Sequence, residues 1–322
     1  MTERAGAGAR RVAVTGGAGF IGHHLVASLV AEGREVVVID DLSTGQPDGL
    51  PAEARFVRLD VGETDALGEV LQGVEVVAHL AAVASVERAR REPRAAHAVN
   101  AGGTLSVLEA ARRARVRGVV LASSAAVYGA LEGAVREDAP AVPTSLYGVD
   151  KRASEGYLSV YGALYGLGAV SLRFFNVYGP GQLPGGGDAP VIARWLAAAA
   201  ASRAVELQGD GEQTRDFVDV SDVTRATVAA IDLAHRGETA LLNVGSGRET
   251  RLNALLEAMA ALTGERLEVV RAPARAGDIR RSRADIAAAH GRLGYAPAVA
   301  LPEGLARTWR FWRTRTTEEA QG

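Results

Sequence analysis

The chain has 322 residues, of which 48% are hydrophobic and 23% charged, with a formal net charge of −2. That length suits two domains, or one large domain with an added lobe, and the near-neutral charge excludes a global basic field for nucleic acid or an anionic membrane. Cysteine is absent, which removes disulfides, thiol nucleophiles and thiolate metal sites together; no long apolar span or signal-peptide core is seen, so a soluble cytoplasmic protein is expected.

From Arg11 the order is strand, Gly-rich turn, helix, strand: Arg11–Thr15, then apolar residues at helical spacing (Ile21, Leu25, Leu29, Val30), then Gly33 as a stop and Glu35–Asp40. Further apolar runs at Arg55–Leu59, Val74–Leu80 and Gly118–Ala122 alternate with helical patterns, which predicts a parallel sheet covered on both faces. One long helix is expected over Glu92–Arg115 and another over Leu146–Tyr165, followed by a sixth strand in "AVSLRFFNVYG". After Tyr178 a Gly/Pro loop intervenes. Shorter elements follow: helix Pro190–Ser202, strands Ala204–Leu207 and Asp216–Val220, helix Ser221–Ala234, strand Leu241–Val244, helix Leu252–Thr263 and a C-terminal amphipathic helix. The expected architecture is a doubly wound α/β domain of Rossmann type with a smaller α/β lobe for substrate near the C-terminus.

The turn "GGAGFIG" holds Gly16, Gly19 and Gly22 between a strand and a helix. Glycine there lets backbone approach a pyrophosphate, and the helix start beyond Gly19 offers N–H groups to it. Asp40, at the end of the next strand, suits a ribose diol and repels a 2′-phosphate, favouring NAD over NADP. Asp60, ending the third strand, suits either an adenine edge or a simple turn.

Lys151 is the only lysine among 36 basic residues, four after Tyr147 and so on the same face of a helix. A phenol is a poor base at neutral pH; a neighbouring ammonium, which arginine's planar fork does not replace, is expected to lower its pKa, as would a cationic nicotinamide. Ser123 and Ser124 end the fifth strand, where ligands of parallel sheets sit; a hydroxyl there can bond a reacting alcohol or satisfy a local turn.

The motifs "TGGAGFIG", "SSAAVYG", "YGVDK", "RFFNVYGPGQ", "GDGEQTRDFVDV" and "NVGSG" resemble the extended short-chain dehydrogenase/reductase family, most of all its nucleotide-sugar 4-epimerases of the UDP-glucose type, from Arg11 to about Trp312. The resemblance implies Ser124, Tyr147 and Lys151 as the catalytic triad. It implies Gly16, Gly19, Phe20, Ile21, Gly22, Asp40, Asp60, Val61, Leu80, Ala81, Ala82, Asn100, Tyr147 and Lys151 at NAD. It implies Ser85, Ser124, Asn176, Arg215, Arg275, Asp278 and Ser282 at a nucleotide diphosphate sugar, most simply a UDP-sugar. The NAD-binding domain is then 1–177 with 216–246, and the sugar-nucleotide domain 178–215 with 247–322, in a homodimer joined through the two long helices. A 4-ketosugar reductase with net redox turnover uses the same triad and is the alternative.

Departures narrow the chemistry. Ala125 and Ala126 stand where sugar-nucleotide 4,6-dehydratases carry an Asp–Glu pair, and alanine cannot move a proton. Ala84 stands where some epimerases have a lysine. Small residues at the position of Ser282 accompany N-acetylated sugars in relatives; Arg280, Arg281 and Arg283 around it also suit an acidic sugar, or simply a solvated turn.

Overall fold

The computed structural model describes residues 9–131, 133–183, 190–264, 267–274 and 279–319, with side chains up to 314. The chain begins with β1 (Arg11–Thr15), α1 (Phe20–Ala31), β2 (Glu35–Asp40), β3 (Arg55–Arg58), α2 (Thr64–Val70), β4 (Val76–His79), α3 (Val86–Arg91) and α4 (Pro93–His97). A π-helical turn (Ala98–Gly102), α5 (Gly103–Arg113), β5 (Gly118–Ser124) and a 3-10 turn (Ala125–Tyr128) follow. Then come β6 (Ala134–Val135), α6 (Leu146–Tyr165), β7 (Gly168–Phe174), β8 (Asn176–Tyr178), α7 (Val191–Ala200), β9 (Val205–Gln208), β10 (Thr214–Arg215) and β11 (Phe217–Asp219). The last stretch holds α8 (Val220–His235), β12 (Thr239–Val244), β13 (Thr250–Arg251), α9 (Leu252–Thr263), β14 (Val269–Ala272), β15 (Arg283–Ala284), α10 (Ala287–Leu293) and α11 (Leu301–Glu319).

Among the described residues β12, β7, β5, β4, β1, β2 and β3 lie side by side in that order as one parallel sheet. Strand side chains alternate between faces. Val12, Val14, Val36 and Val38 pack with Leu25 and Leu29 of α1 and Val223 and Ala230 of α8. The intervening Ala13, Val37 and Ile39 pack with Leu67, Val107 and Leu158 from α2, α5 and α6 on the other face. Burial on both faces is why these strands read as unbroken apolar runs. The order reverses between β1 and β4, and the crevice beyond their carboxyl ends is where such sheets bind ligands.

A third core lies off the sheet, where Trp195 of α7, Leu207 of β9, Leu255 and Met259 of α9, and Leu305 and Trp312 of α11 meet. No helix among the described residues is long and apolar enough to cross a membrane.

Two expected elements are divided. In place of one helix over Glu92–Arg115, α3 stops at Glu92 (φ −125°, ψ 58°), Pro93 opens α4 with no N–H to extend the preceding helix, and the π-helical turn precedes α5. The helix then ends at Arg113, and Arg115 is left-handed (φ 58°). The expected sixth strand is β7 plus β8. Phe175 N–H bonds the carbonyl of Val244, and β8 leaves to pair with β11, placing Asn176 opposite Phe217, two residues beyond Arg215.

Candidate active site

Gly16 ends β1 with φ +68°, and a Cβ there would lie 2.6 Å from the backbone nitrogen of Ala81, so the turn rests directly on the segment after β4. Leu80, Ala81 and Ala82 are that segment, half-buried, with the Leu80 N–H bonded to Thr15 O at 3.0 Å. Gly22 sits against the Gly16 carbonyl. Gly19 precedes α1 without a side-chain cap, so the first N–H groups of the helix, beside half-buried Phe20 and Ile21, have no intrahelical acceptor. Asp40 is 7% exposed and accepts from Ala18 N–H (3.0 Å) and Leu42 N–H (2.9 Å), which fixes its carboxylate at the end of β2. A cradle with no room for a side chain, an uncapped helix start and an oriented acid meet the requirements of a pyrophosphate and a ribose diol, so these residues fit NAD. Asp60 is exposed and closes a turn on Gly62 N–H (2.7 Å), with Val61 buried behind it.

Asn100, 1% exposed in the π-helical turn, accepts from Val83 N–H at 2.8 Å and donates to Val83 O at 3.3 Å. Its amide therefore holds the loop after β4. Its carbonyl accepts the Thr104 hydroxyl at 2.6 Å, so Thr104 Oγ1 must accept from His79 Nε2 (3.1 Å), leaving His79 Nδ1 to accept from the Thr15 hydroxyl (2.7 Å). Burial and then the charge of Lys151 hold His79 down to about 3, so this chain of bonds between β1, β4 and α5 stays uncharged.

The second half of the site is built by β5 and α6. Ser145 caps α6, its hydroxyl accepting from Gly148 N–H at 3.1 Å. A Cβ on Gly148 would lie 2.5 Å from Ala126 O, so only glycine lets the first turn of α6 press onto the 3-10 turn after β5. That contact brings half-buried Tyr147 beside Ser124, whose hydroxyl accepts from Ala126 N–H at 3.1 Å and faces the phenol. One helical turn on, Lys151 is 4% exposed; its Nζ donates to Ala122 O at 2.8 Å and lies 5.8 Å from the centre of the Tyr147 ring.

Burial pushes the Tyr147 phenol up to about 12, and the Ser124 hydroxyl opposes this only in part. In the protein alone no lowering by Lys151 offsets that burial: the lysine is desolvated too, and burial brings it down to about 8 against the charges of Asp150 and Glu155. An unfolded chain, with lysine at its ordinary 10.5, binds the proton throughout the window from about 8 to 10.5. Stability from this group therefore rises with pH across that window and is lowest below it. Lys151→Met should stabilise the ligand-free protein at pH 7 by about 2 kcal/mol after allowing for the lost hydrogen bond. The gain should vanish by about pH 10.5, read as the difference in urea unfolding free energy between variant and wild type.

A buried network not anticipated from the sequence supports α6. Glu155, one turn beyond Lys151, takes both Nε and Nη2 of Arg173 at 2.8 Å and the Ser123 hydroxyl at 2.6 Å. Arg173 stacks 4.6 Å over the Tyr128 ring, whose hydroxyl donates to Asn243 (2.7 Å); Asn243 in turn donates to Val135 O (2.8 Å) and Asp285 O (3.2 Å). These bonds join the α6 helix to the paired strands β6 and β15, next to Ser282. The legible signals were an acid four residues after the lysine and an arginine inside an apolar strand.

The substrate-side residues are more scattered. Ser85 caps α3 by accepting from Arg88 N–H (2.9 Å), Ala84 is exposed, and Asn176 is exposed at the start of β8. Arg215 is half-buried, its Nη1 donating to Thr214 O and Ile279 O at 2.7 Å each. Half-buried Ser282 donates its N–H to Thr214 Oγ1 at 3.2 Å. Arg275 and Asp278 lie outside the described residues. Of the arginines around Ser282, Arg280 pairs with Asp210 (2.8 Å) and Arg281 with Glu249 (3.1 Å), so only Arg283 keeps a charge unbalanced by a described acid.

Residues 12–245 match the NAD dependent epimerase/dehydratase family. The chain belongs to that family. It is 42% identical to the UDP-glucose 4-epimerase of Mycolicibacterium smegmatis, over 95% of this chain and 99% of that one. Its fold matches the UDP-glucose 4-epimerase of Thermotoga maritima, solved with UDP-glucose, at a TM-score of 0.90 and 36% identity, covering 95% of this chain and 99% of that one. The Thermus thermophilus UDP-glucose 4-epimerase, solved with NAD, matches at 0.88 and 38% identity, covering 94% and 99%.

Proposed function

We propose that this protein is an NAD-dependent 4-epimerase of a nucleotide diphosphate sugar of the UDP-glucose/UDP-galactose type, N-acetylated and uronic acid forms included. The observation that carries the reading is the Ser124–Tyr147–Lys151 cluster at the carboxyl end of β5, in the same parallel sheet as the dinucleotide turn. Tyr147 takes the proton of the sugar 4-hydroxyl and returns it, and Ser124 hydrogen-bonds the same oxygen. NAD, when bound, supplies the reversible redox chemistry at C4, by way of a 4-ketosugar. Gly16, Gly19, Gly22, Asp40 and the Leu80–Ala82 segment hold the dinucleotide. Asn176 and Arg215 hold the sugar nucleotide, with Ser282 bounding the sugar. With Arg280 and Arg281 neutralised, recognition of an acidic sugar would fall to Arg283.

The test is incubation with a panel of UDP- and TDP-sugars without added redox cofactor, following C4 configuration by NMR. Inversion within one gluco/galacto pair is expected. No conversion of any sugar, or turnover only with stoichiometric NADH, overturns the reading.

The reading extends to a homodimer. Leu146, Val149, Tyr157, Val160 and Leu164 form an exposed apolar stripe along α6, Val160 at 53% and Leu164 at 68% exposure. Val160→Glu should shift the sedimenting species from dimer to monomer; a wild type that sediments as a monomer at micromolar concentration removes this part.

A further inference from the structure

Lys151 is buried, and among the described residues its ammonium has a single hydrogen bond, to the neutral carbonyl of Ala122. A buried ammonium held only by a carbonyl needs a counter-charge nearby. Two buried acids flank it on α6. Glu155 is already balanced: the guanidinium of Arg173, itself 2% exposed, takes both its oxygens, and Arg152 lies 3.8 Å away. Asp150, 5% exposed, is not. Its only side-chain partner among the described residues is His97 of α4, whose Nδ1 donates to it at 2.7 Å. The other groups facing the Lys151 ammonium are His79 of β4, which stays uncharged, and the Tyr147 ring at 5.8 Å. With Arg173 and Glu155 cancelling, the buried charges left around this ammonium among the described residues are Lys151 and Asp150.

We propose that Asp150, oriented by His97, is the counter-charge that keeps buried Lys151 an ammonium, and is thus a positioning residue for the Tyr147–Lys151 pair. Its functional meaning rests on the epimerase reading; its electrostatics do not. His97 donates from Nδ1 whether or not it is charged, so in its uncharged form it orients the carboxylate without neutralising it. Consistent with this, burial lowers Lys151 and Asp150 is the foremost of the charges that oppose the fall.

Because Lys151 is the only lysine in the chain, protein grown on lysine carrying carbon-13 at Cε gives one side-chain resonance whose shift reports its titration. Wild type should titrate near pH 8. Asp150→Asn should move the midpoint down by about one unit, the effect of removing one nearby charge inside a protein. His97→Arg, at a side chain 67% exposed, places a permanent positive charge on Asp150 and should move it the same way. A midpoint unmoved in both variants overturns the proposal, and if Asp150→Asn does not fold, His97→Arg decides alone. In the active enzyme, kcat at pH 8 relative to pH 6 should fall about fivefold in Asp150→Asn, whereas a purely structural defect lowers both equally. The labelled titration needs neither cofactor nor sugar, so it stands if no sugar is turned over. An unmoved midpoint in an active epimerase removes only Asp150.

Discussion

Tyr147→Phe should lower kcat by roughly 10²- to 10⁴-fold, the contribution of a positioned general acid–base group. KM for the sugar nucleotide and the amount of NAD carried should change little, because the ring remains and only the oxygen is lost. The Ser124 hydroxyl keeps its bond from Ala126 N–H, so the folded state should lose no more than about 1 kcal/mol and the loss of rate cannot be assigned to unfolding. Initial rates with the preferred sugar and absorbance of bound cofactor are the two measurements. A variant within tenfold of wild type would move the proton transfer away from Tyr147. The phenol stands at about 12 in the protein alone, so a working base requires positive charge beyond what Lys151 provides.

Glu155→Gln should cost about 3–5 kcal/mol of unfolding free energy, because it leaves the Arg173 guanidinium, 2% exposed, without its buried counter-charge. Urea unfolding followed by circular dichroism checks this. Replacing both partners together, as Glu155→Leu with Arg173→Met, should recover most of the loss, since an apolar pair of similar volume is often no worse than a buried ion pair. Recovery by the double variant separates an unpaired charge from a packing defect. Because Arg173 also stacks on Tyr128, and through it reaches Asn243 and the β6–β15 pair, the single variant should loosen the region around Ser282 as well. Faster amide exchange at Ala284 and Asp285 would register that.

Much of the fold could be read from the residues alone. Strands buried on both faces leave unbroken apolar runs, and α6 and α9 start and stop where the pattern predicts, at Leu146–Tyr165 and Leu252–Thr263. The Gly-rich turn was legible because a glycine at φ +68° against Ala81 has no substitute, and the Tyr147–Lys151 pair because helical periodicity puts four-residue neighbours on one face. These are local constraints, written into spacing.

What packing alone decided is non-local. The π-helical turn in the helix expected to run unbroken serves Asn100, whose carbonyl accepts the hydroxyls of Thr104 and Ser154 from two different helices. Arg280 and Arg281 looked available to an acidic sugar until their partners Asp210 and Glu249, far away in the chain, came beside them. The lone lysine's effect on Tyr147 likewise could not be signed from spacing, because desolvation acts on both groups and depends on every element folded around them. Periodicity tells which side of a helix faces inward; the free energy of a charge placed there depends on which other charges the rest of the chain brings to it.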